Sequence, residues 1–177
     1  MIDTLKDPDA GPQAAGRSPS FDLQQLIRMY DFTGKTVVVT GGTGVLGASL
    51  VSALAGCGAQ VAILGRNLEA GKQVLESLGS RAAQTALFAC NVVDRASIED
   101  AARQVLQRFQ QVDGLVNAAG GNAPEATTSA DRSFFDLPAE ALRQVFELNL
   151  LGTVLPCQVF GRLMAQQGRG VILNYSS

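Results

Sequence analysis

The chain has 177 residues, enough for one domain with a sizeable core, and it is 46% hydrophobic and only 17% charged, which excludes an intrinsically disordered chain. Fourteen basic and 16 acidic residues give a net charge of −2, a balance that argues against nucleic-acid binding. The absence of histidine excludes Ser-His-Asp catalysis and His-containing zinc sites, and the three cysteines form no CxxC pair.

Residues 1–33 are predicted to form a mobile tail followed by a short amphipathic helix. Residues 1–20 are rich in Asp, Gly, Pro and Ser, and they lack the apolar core of a signal peptide. Apolar residues at helical spacing then predict a helix over 21–30. We expect no membrane segment and, because the cysteines suggest no disulfide framework, a cytoplasmic location.

From residue 34 onward, short apolar runs alternate with helical patterns. Strands are predicted over 37–39, 61–64, 86–90, 114–117 and 170–174. Helices are predicted over 48–54, 68–78 and 96–109, and a longer one from Pro138 to about Gln167. Continuous apolar strands between helices indicate a parallel sheet covered on both faces. Residues 34–177 therefore predict one α/β domain, a doubly wound parallel sheet of the Rossmann type, truncated after the fifth strand and incomplete at its C-terminus.

A glycine-rich turn follows the first predicted strand and opens the next helix. It reads Thr40-Gly41-Gly42-Thr43-Gly44-Val45-Leu46-Gly47, with GxGxxG at Gly42, Gly44 and Gly47. Glycines let the backbone approach a pyrophosphate, and the helix N-terminus offers N–H donors to that anion. The turn predicts a dinucleotide site whose residues are Gly41, Gly42, Thr43, Gly44, Leu46 and Gly47.

The end of the second predicted strand bears on the choice of dinucleotide. An NAD site is expected to carry a carboxylate there for the ribose hydroxyls, but no Asp or Glu occurs between Gly47 and Glu69. Arg66 and Asn67 occupy this position, and a guanidinium can pair with a 2′-phosphate. NADP(H) is therefore favoured over NAD(H), the alternative being that Arg66 is a solvated surface residue.

These motifs resemble those of the short-chain dehydrogenases/reductases, and the resemblance extends from about residue 34 to residue 177. The glycine turn is similar to the family's cofactor turn. The resemblance also implies cofactor contacts at the strand-four motif Asn117-Ala118-Ala119-Gly120 and at Asn91-Val92, which falls on the family's Asp-Val pair. It implies catalytic roles for Asn149 and Ser177. More loosely, residues 119–122 and the loop up to Phe135 resemble the mannonate oxidoreductases.

Three departures from the family pattern stand out. The glycine spacing is TGxxGxxG, which is more usual in the family's extended branch, and Asn91 replaces an Asp, although an amide still accepts a hydrogen bond from the adenine amine. The family's reaction also needs a Tyr-x-x-x-Lys pair. The only tyrosines here, Tyr30 and Tyr175, do not form one within the 177 residues.

We therefore expect the N-terminal part of an NADP(H)-dependent enzyme that moves hydride between nicotinamide and a secondary alcohol or ketone, such as a sugar acid, and that is inactive as this piece alone. Its partner is a small-molecule substrate, and the resemblance implies a homo-oligomer. The loop over 122–137 offers polar candidates for substrate contact at Glu125, Thr127, Thr128 and Arg132. Two alternatives stay open: a non-catalytic protein that binds NADP(H) or a partner, and assembly with a separate chain that supplies the Tyr and Lys.

Overall fold

A computed structural model describes residues 22–175. Helix α1 (Leu23–Met29) belongs to a unit that ends at Tyr30, and a second unit begins at Asp31. The carboxylate of Asp22 caps α1 by accepting a hydrogen bond from the backbone N–H of Gln25 at 2.7 Å, and no residue of α1 is buried. The predicted helix is thus present and slightly shorter than expected. The predicted tail over 1–20 and Ser177 lie outside the described residues.

The second unit contains a parallel five-stranded sheet with the strand order β3-β2-β1-β4-β5. The strands are β1 (Thr36–Thr40), β2 (Gln60–Gly65), β3 (Thr85–Ala89), β4 (Gly114–Asn117) and β5 (Val171–Asn174). The helices are α2 (Val45–Gly56), α3 (Leu68–Ser77), α4 (Arg95–Phe109), α5 (Ala139–Phe146) and α6 (Gly152–Gln167). This arrangement confirms the predicted doubly wound α/β fold. Starting from β1, the chain adds β2 and β3 on one side of the sheet and then β4 and β5 on the other side. Such sheets bind ligands at this switch point, which here lies between β1 and β4.

The sheet separates two apolar cores. On one face, Val39 and Ile63 of the sheet pack with Val51 of α2, and all three side chains are fully buried. On the other face, Leu115 packs with Phe160 of α6 in a cluster that also includes α4. β1 is buried along its whole length because it lies at the centre of the sheet. Strand β5, at the edge, is exposed at all four residues.

The long helix predicted from Pro138 onward is interrupted. Five residues, Glu147–Leu151, form a π-helical turn between α5 and α6. Pro138 is the N-cap residue of α5 rather than a member of its first turn, and α6 contains Pro156. The sequence predicted one continuous helix here, because a π-turn adds about one residue per turn without a composition signal of its own.

Among the described residues, one helical stretch is long and apolar enough to cross a membrane, namely Ala139–Gln167. Two of its larger side chains, Phe160 and Met164, are buried in the core between α6 and the sheet. A core helix of a globular domain meets the same length and composition criteria, so the stretch is weak evidence for a membrane span.

The amino-terminal edge of the sheet is held by one carboxylate. Asp113, directly before β4, accepts hydrogen bonds from the backbone N–H of Thr36 at 3.0 Å and from the side chains of Gln111 at 2.9 Å and Arg169 at 3.1 Å. Its side chain is only 10% exposed. These bonds join the starts of β1, β4 and β5, at the edge opposite to the glycine turn.

Candidate functional site

The predicted cofactor residues meet at the carboxyl-terminal edge of the sheet. The register pairs Thr40 at the end of β1 with Leu64 of β2 and with Asn117 at the end of β4. Asn117 in turn pairs with Asn174 at the end of β5. The segments that follow these strands therefore leave the sheet side by side. They contain the glycine turn, Arg66 and Asn67, and the segment Ala118 to Gly120.

Close packing explains why the turn after β1 needs glycine. Gly41 has a φ of +64°, and a Cβ atom there would lie 2.7 Å from the carbonyl oxygen of Ala118. A Cβ on Gly42 would lie 2.9 Å from Cγ2 of Ile63, and one on Gly47 would overlap the carbonyl group of Gly41. The turn is thus pressed against β2, against the exit of β4 and against its own helix.

The first turn of α2 has the character of an anion site. Its N-cap is Gly44, which has no side chain to bind the first N–H groups, and the first turn contains no acidic residue. The side chains of Val45 and Leu46 are 93% and 50% exposed, so the start of the helix is open. An uncapped helix N-terminus carries a partial positive charge and free N–H donors. These features fit the pyrophosphate of a dinucleotide.

Thr40 ties the glycine turn to the exit of β4. Its side chain is fully buried, and its Oγ1 accepts hydrogen bonds from the backbone N–H groups of Ala118 and Ala119, each at 3.2 Å. The sequence prediction included Ala118 and Ala119 but not Thr40 as site residues. A hydroxyl residue at the last position of β1, directly after three valines, was the available signal.

At the end of β2, an exposed arginine is followed by no acidic residue until Glu69. Arg66 and Asn67 are both exposed, but the Asn67 Oδ1 is occupied, because it accepts a hydrogen bond from the Ala70 N–H at 3.0 Å and caps α3. Thr43 lies against Gly65, where a Cβ atom would come within 2.8 Å of its Cγ2. The guanidinium is therefore the group at this position that is available to a ribose phosphate.

The segment after β3 contains the predicted cofactor residues Asn91 and Val92. The Asn91 Oδ1 accepts a bond of 3.4 Å from the Val93 N–H, and the Asn91 backbone N–H donates to Ser97 Oγ at 2.9 Å. The side chain of Val92 is buried and lies so close to Gly152 that a Cβ there would be 2.9 Å from Val92 Cγ2. The predicted Asn91 amide is thus partly exposed, whereas Val92 is a core residue that can offer only its backbone to a cofactor.

Asn149 lies in the π-turn and binds the loop that follows β4. Its Nδ2 donates to the carbonyl oxygens of Gly121 at 2.7 Å and Val145 at 2.8 Å, and its Oδ1 accepts from the Gly121 N–H at 3.1 Å. A Cβ on Gly120 would lie 2.7 Å from the same Oδ1. Both backbone groups of Gly121 are therefore held by one amide, which sets the position of this loop. The other predicted catalytic residue, Ser177, lies outside the described residues.

The loop over 122–137 is cross-linked by its own polar side chains. Asn122 Nδ2 donates to Thr127 Oγ1 at 2.8 Å, and Arg132 donates to the carbonyl oxygen of Pro124 at 2.7 Å. Phe134 and Phe135 form an edge-to-face pair and are 72% and 91% exposed. Two of the predicted substrate contacts, Thr127 and Arg132, therefore also hold the loop in shape.

Comparison with known proteins places this geometry in a family. The sequence profile described as short chain dehydrogenase matches residues 35–177. An uncharacterised oxidoreductase, UxuB of Bacillus subtilis, is 37% identical over 155 residues, which cover 83% of this chain and 56% of that protein. D-threitol dehydrogenase of Mycolicibacterium smegmatis is 35% identical over 156 residues, covering 87% of this chain and 57% of that protein. The chain thus spans about half the length of the curated relatives it matches.

Solved structures give the same result. A protein from Haemophilus influenza, provisionally named a D-mannonate oxidoreductase and solved with NAD bound, superimposes with a TM-score of 0.74 at 31% identity, covering 84% of this chain and 57% of that one. An NAD⁺-bound xylitol dehydrogenase gives a TM-score of 0.73 at 26% identity, covering 82% and 54%. The matched profile, the relatives and the glycine turn agree, and the chain belongs to the short-chain dehydrogenase/reductase family of NAD(P)-dependent oxidoreductases.

Proposed function

We propose that the protein carrying this chain is an NADP(H)-dependent oxidoreductase that transfers hydride between the nicotinamide and a secondary alcohol or ketone of a polyol or sugar acid. The observation that carries the proposal is the position of the uncapped N-terminus of α2. It opens at the same sheet edge as Arg66 and the loop that Asn149 holds. A dinucleotide bound at this edge would have its phosphates at the helix and its adenosine ribose near β2.

Several groups of the chain would hold the cofactor, and each has a distinct task. The N–H groups at the start of α2 would bind the pyrophosphate, with the missing Cβ of Gly41 and Gly42 allowing close approach. Arg66 would pair with the 2′-phosphate, and the Asn91 amide would face the adenine amine. When bound, the nicotinamide supplies or accepts the hydride.

Two observations support the preference for NADP(H). The end of β2 presents a guanidinium and no carboxylate, and the one amide oxygen beside it, that of Asn67, is occupied by the helix cap. A ribose 2′-hydroxyl would therefore lack its usual acceptor, whereas a 2′-phosphate would gain a charged partner. The two solved neighbours described above contain NAD, so the cofactor choice is a point on which this protein would differ from them.

The substrate class is proposed from the relatives and from the resemblance of the site. D-threitol dehydrogenase and L-fucose dehydrogenase are named for a polyol and a sugar, and the chain is 35% and 31% identical to them. In this proposal Ser177 orients the substrate oxygen and Asn149 acts by holding the loop after β4. The proposal also requires a tyrosine and a lysine for the proton transfer, and these 177 residues contain no such pair. The protein is proposed to be cytoplasmic and a homo-oligomer, without membrane or nucleic-acid partners.

The decisive experiment uses the natural-length protein. Dissociation constants for NADPH and NADH are measured by fluorescence, and a panel of polyols, sugars and sugar acids is then screened by the absorbance of the reduced nicotinamide. We expect tighter binding of NADPH and oxidation of at least one panel member. The 177-residue chain, tested in parallel, is expected to be slower by about 10²–10⁴ because it lacks the general acid. Tight cofactor binding without turnover at natural length would instead identify a binding protein.

A further inference from the structure

A polar cluster joins the ends of β4 and β5 to α6, and it consists of the buried Asn117, the half-buried Cys157 and the exposed Asn174. Asn117 is 1% exposed, and its Nδ2 donates to Asn174 Oδ1 at 2.8 Å and to Cys157 Sγ at 3.2 Å. The Cys157 thiol lies 3.7 Å from the same Asn174 oxygen, a distance at which it donates a weak bond. Each of the three residues comes from a different element, and none but Asn117 belongs to the site predicted from the sequence.

The cluster holds the last residues of β5 by two separate bonds. The Asn117 side chain binds the side chain of Asn174, and the Asn117 backbone oxygen accepts the Tyr175 N–H at 3.0 Å. Burying an amide is costly unless it is paired, and the Asn117 Oδ1 has no partner among the described residues. The two bonds made by Nδ2 therefore offset a real desolvation cost, and losing either would leave the amide poorly satisfied.

We propose that Asn117, Cys157 and Asn174 are positioning residues, which together fix where the chain leaves β5 on its way to Ser177. The inference rests on the proposed function, in which Ser177 orients the substrate oxygen. Ser177 follows Asn174 by three residues, a reach of at most about 11 Å, so the end of β5 limits where the serine can lie. Cys157 acts through its size and its weak hydrogen bonds to the two amides, and not as a nucleophile.

Substitutions can separate this role from simple packing. Cys157→Ser keeps a donor and an acceptor at nearly the same size, whereas Cys157→Ala removes both, and Asn174→Ala removes the oxygen that the other two residues share. Cys57→Ala is the matched control, because Cys57 is also a half-buried free cysteine but follows the end of α2. All variants are made in the natural-length protein.

Two measurements are combined, and the first does not depend on activity. Hydrogen exchange of the Tyr175 amide reports the hold on β5, and we expect faster exchange in Cys157→Ala and Asn174→Ala but not in Cys57→Ala. The second measurement is kcat for the alcohol oxidised by the wild type, together with the cofactor dissociation constant. We expect kcat to fall about tenfold or more in the two alanine variants, as small misplacements of a reacting group do, with cofactor binding unchanged. Cys157→Ser should recover most of the loss.

The outcomes distinguish this inference from the proposed function. Unchanged exchange at Tyr175, or faster exchange with an unchanged kcat, would overturn the positioning role. A serine variant as impaired as the alanine variant would do the same. A wild type that oxidises or reduces no substrate would overturn the proposed function and with it the catalytic purpose of the cluster, while the exchange data would still report whether the cluster holds β5.

Discussion

A Cβ atom on Gly41 would lie 2.7 Å from the carbonyl oxygen of Ala118, so the turn after β1 and the exit of β4 are in direct backbone contact. Gly41 also has a φ of +64°, which L-residues with side chains adopt only at a cost. The contact couples the proposed phosphate site to the loop that Asn149 holds, because both meet at the same pair of strands.

We predict that Gly41→Ala severely weakens cofactor binding and lowers stability. Its backbone strain alone costs about 1–3 kcal/mol, and the overlap with Ala118 forces the turn to move. Gly79→Ala is the matched control, since Gly79 has a φ of +58° but nothing within 4 Å of the added Cβ. The control should lose stability without losing cofactor affinity. Equal cofactor affinities in the two variants would contradict the proposal that the turn at Gly41 lets the backbone approach the pyrophosphate. Chemical denaturation and cofactor titration measure both quantities.

Arg66→Gln should weaken NADPH binding and leave NADH binding nearly unchanged. A hydrogen bond to a charged group contributes about 1.5–3 kcal/mol, so we expect the NADPH dissociation constant to rise about 10- to 100-fold. Arg81→Gln removes an arginine from the segment after α3 and serves as the control for net charge. A parallel loss of affinity for both cofactors would show that Arg66 does not read the 2′-phosphate.

Asn149→Ala should loosen the loop after β4. The variant loses three hydrogen bonds, and because Asn149 and Gly121 are exposed and water can replace the lost partner, we expect a cost of no more than about 0.5–1.5 kcal/mol for each bond. Asn149→Asp is expected to be at least as damaging, because a carboxylate would face two carbonyl oxygens. Thermal unfolding and hydrogen exchange of residues 119–122 provide the readout. Asn122→Ala, which disturbs bonds within the next loop only, should leave the exchange at 119–121 unaltered.

Asp113→Ala should destabilise the domain without touching the cofactor site. Removing the carboxylate leaves the buried Thr36 N–H without its acceptor, and a hydrogen bond to a charged group contributes about 1.5–3 kcal/mol, whereas Arg169 is 58% exposed and can be solvated. Asp100→Ala breaks an exposed pair with Arg103 and should cost less than about 1 kcal/mol. Urea denaturation compares the two. A cofactor affinity reduced in Asp113→Ala under conditions where the protein stays folded would contradict the separation of the two sheet edges.

The buried thiol of Cys90 should make stability fall at alkaline pH. Burial raises the pKa of Cys90 from 9.0 to about 11, since the thiolate would lose its solvation. Above pH 9 the unfolded thiol ionises while the folded one stays neutral, so this contribution to stability is complete below pH 9 and is lost as the pH rises toward about 11. The free energy of unfolding of Cys90→Ala should decline less steeply over this range than that of the wild type. Parallel slopes would show that the thiol titrates normally.

The strands and the doubly wound parallel sheet could be predicted from the sequence because burial on both faces leaves a continuous apolar run. The prediction for β4 matched its observed bounds, 114–117, and the four other strands differed by one residue at one or both ends. The start of α2 was missed by three residues because Val45 and Leu46 follow glycines and look like part of the turn. The π-turn around Asn149 and the 3₁₀ helix Gly79–Gln84 were not predicted, since both depend on tertiary contacts.

For the candidate site, the sequence predicted which residues take part, but not which residues they contact or hydrogen-bond. The glycine turn, Arg66 and Asn149 were predicted from motifs, and the structure brings their segments to one sheet edge. It could not be predicted that Val92 is a core residue, that the Asn67 oxygen caps α3, or that Thr40 binds the exit of β4. These are contacts between segments distant in sequence, and periodicity within one segment does not report them. Ser177 remains a prediction.

The hydrogen bonds that Asp113 accepts from Thr36, Gln111 and Arg169 also bear on how this domain could be re-engineered. These bonds anchor the starts of three strands, whereas the glycine turn and the loops after β2, β3 and β4 leave from the opposite ends. Amino-acid libraries confined to Arg66, Asn91 and the loop over 122–137 would therefore vary the ligand-facing surface while leaving that anchor intact. Directed evolution of new cofactor or substrate preferences would then leave the contribution of Asp113 to the free energy of unfolding unchanged, so that functional substitutions would be tolerated better.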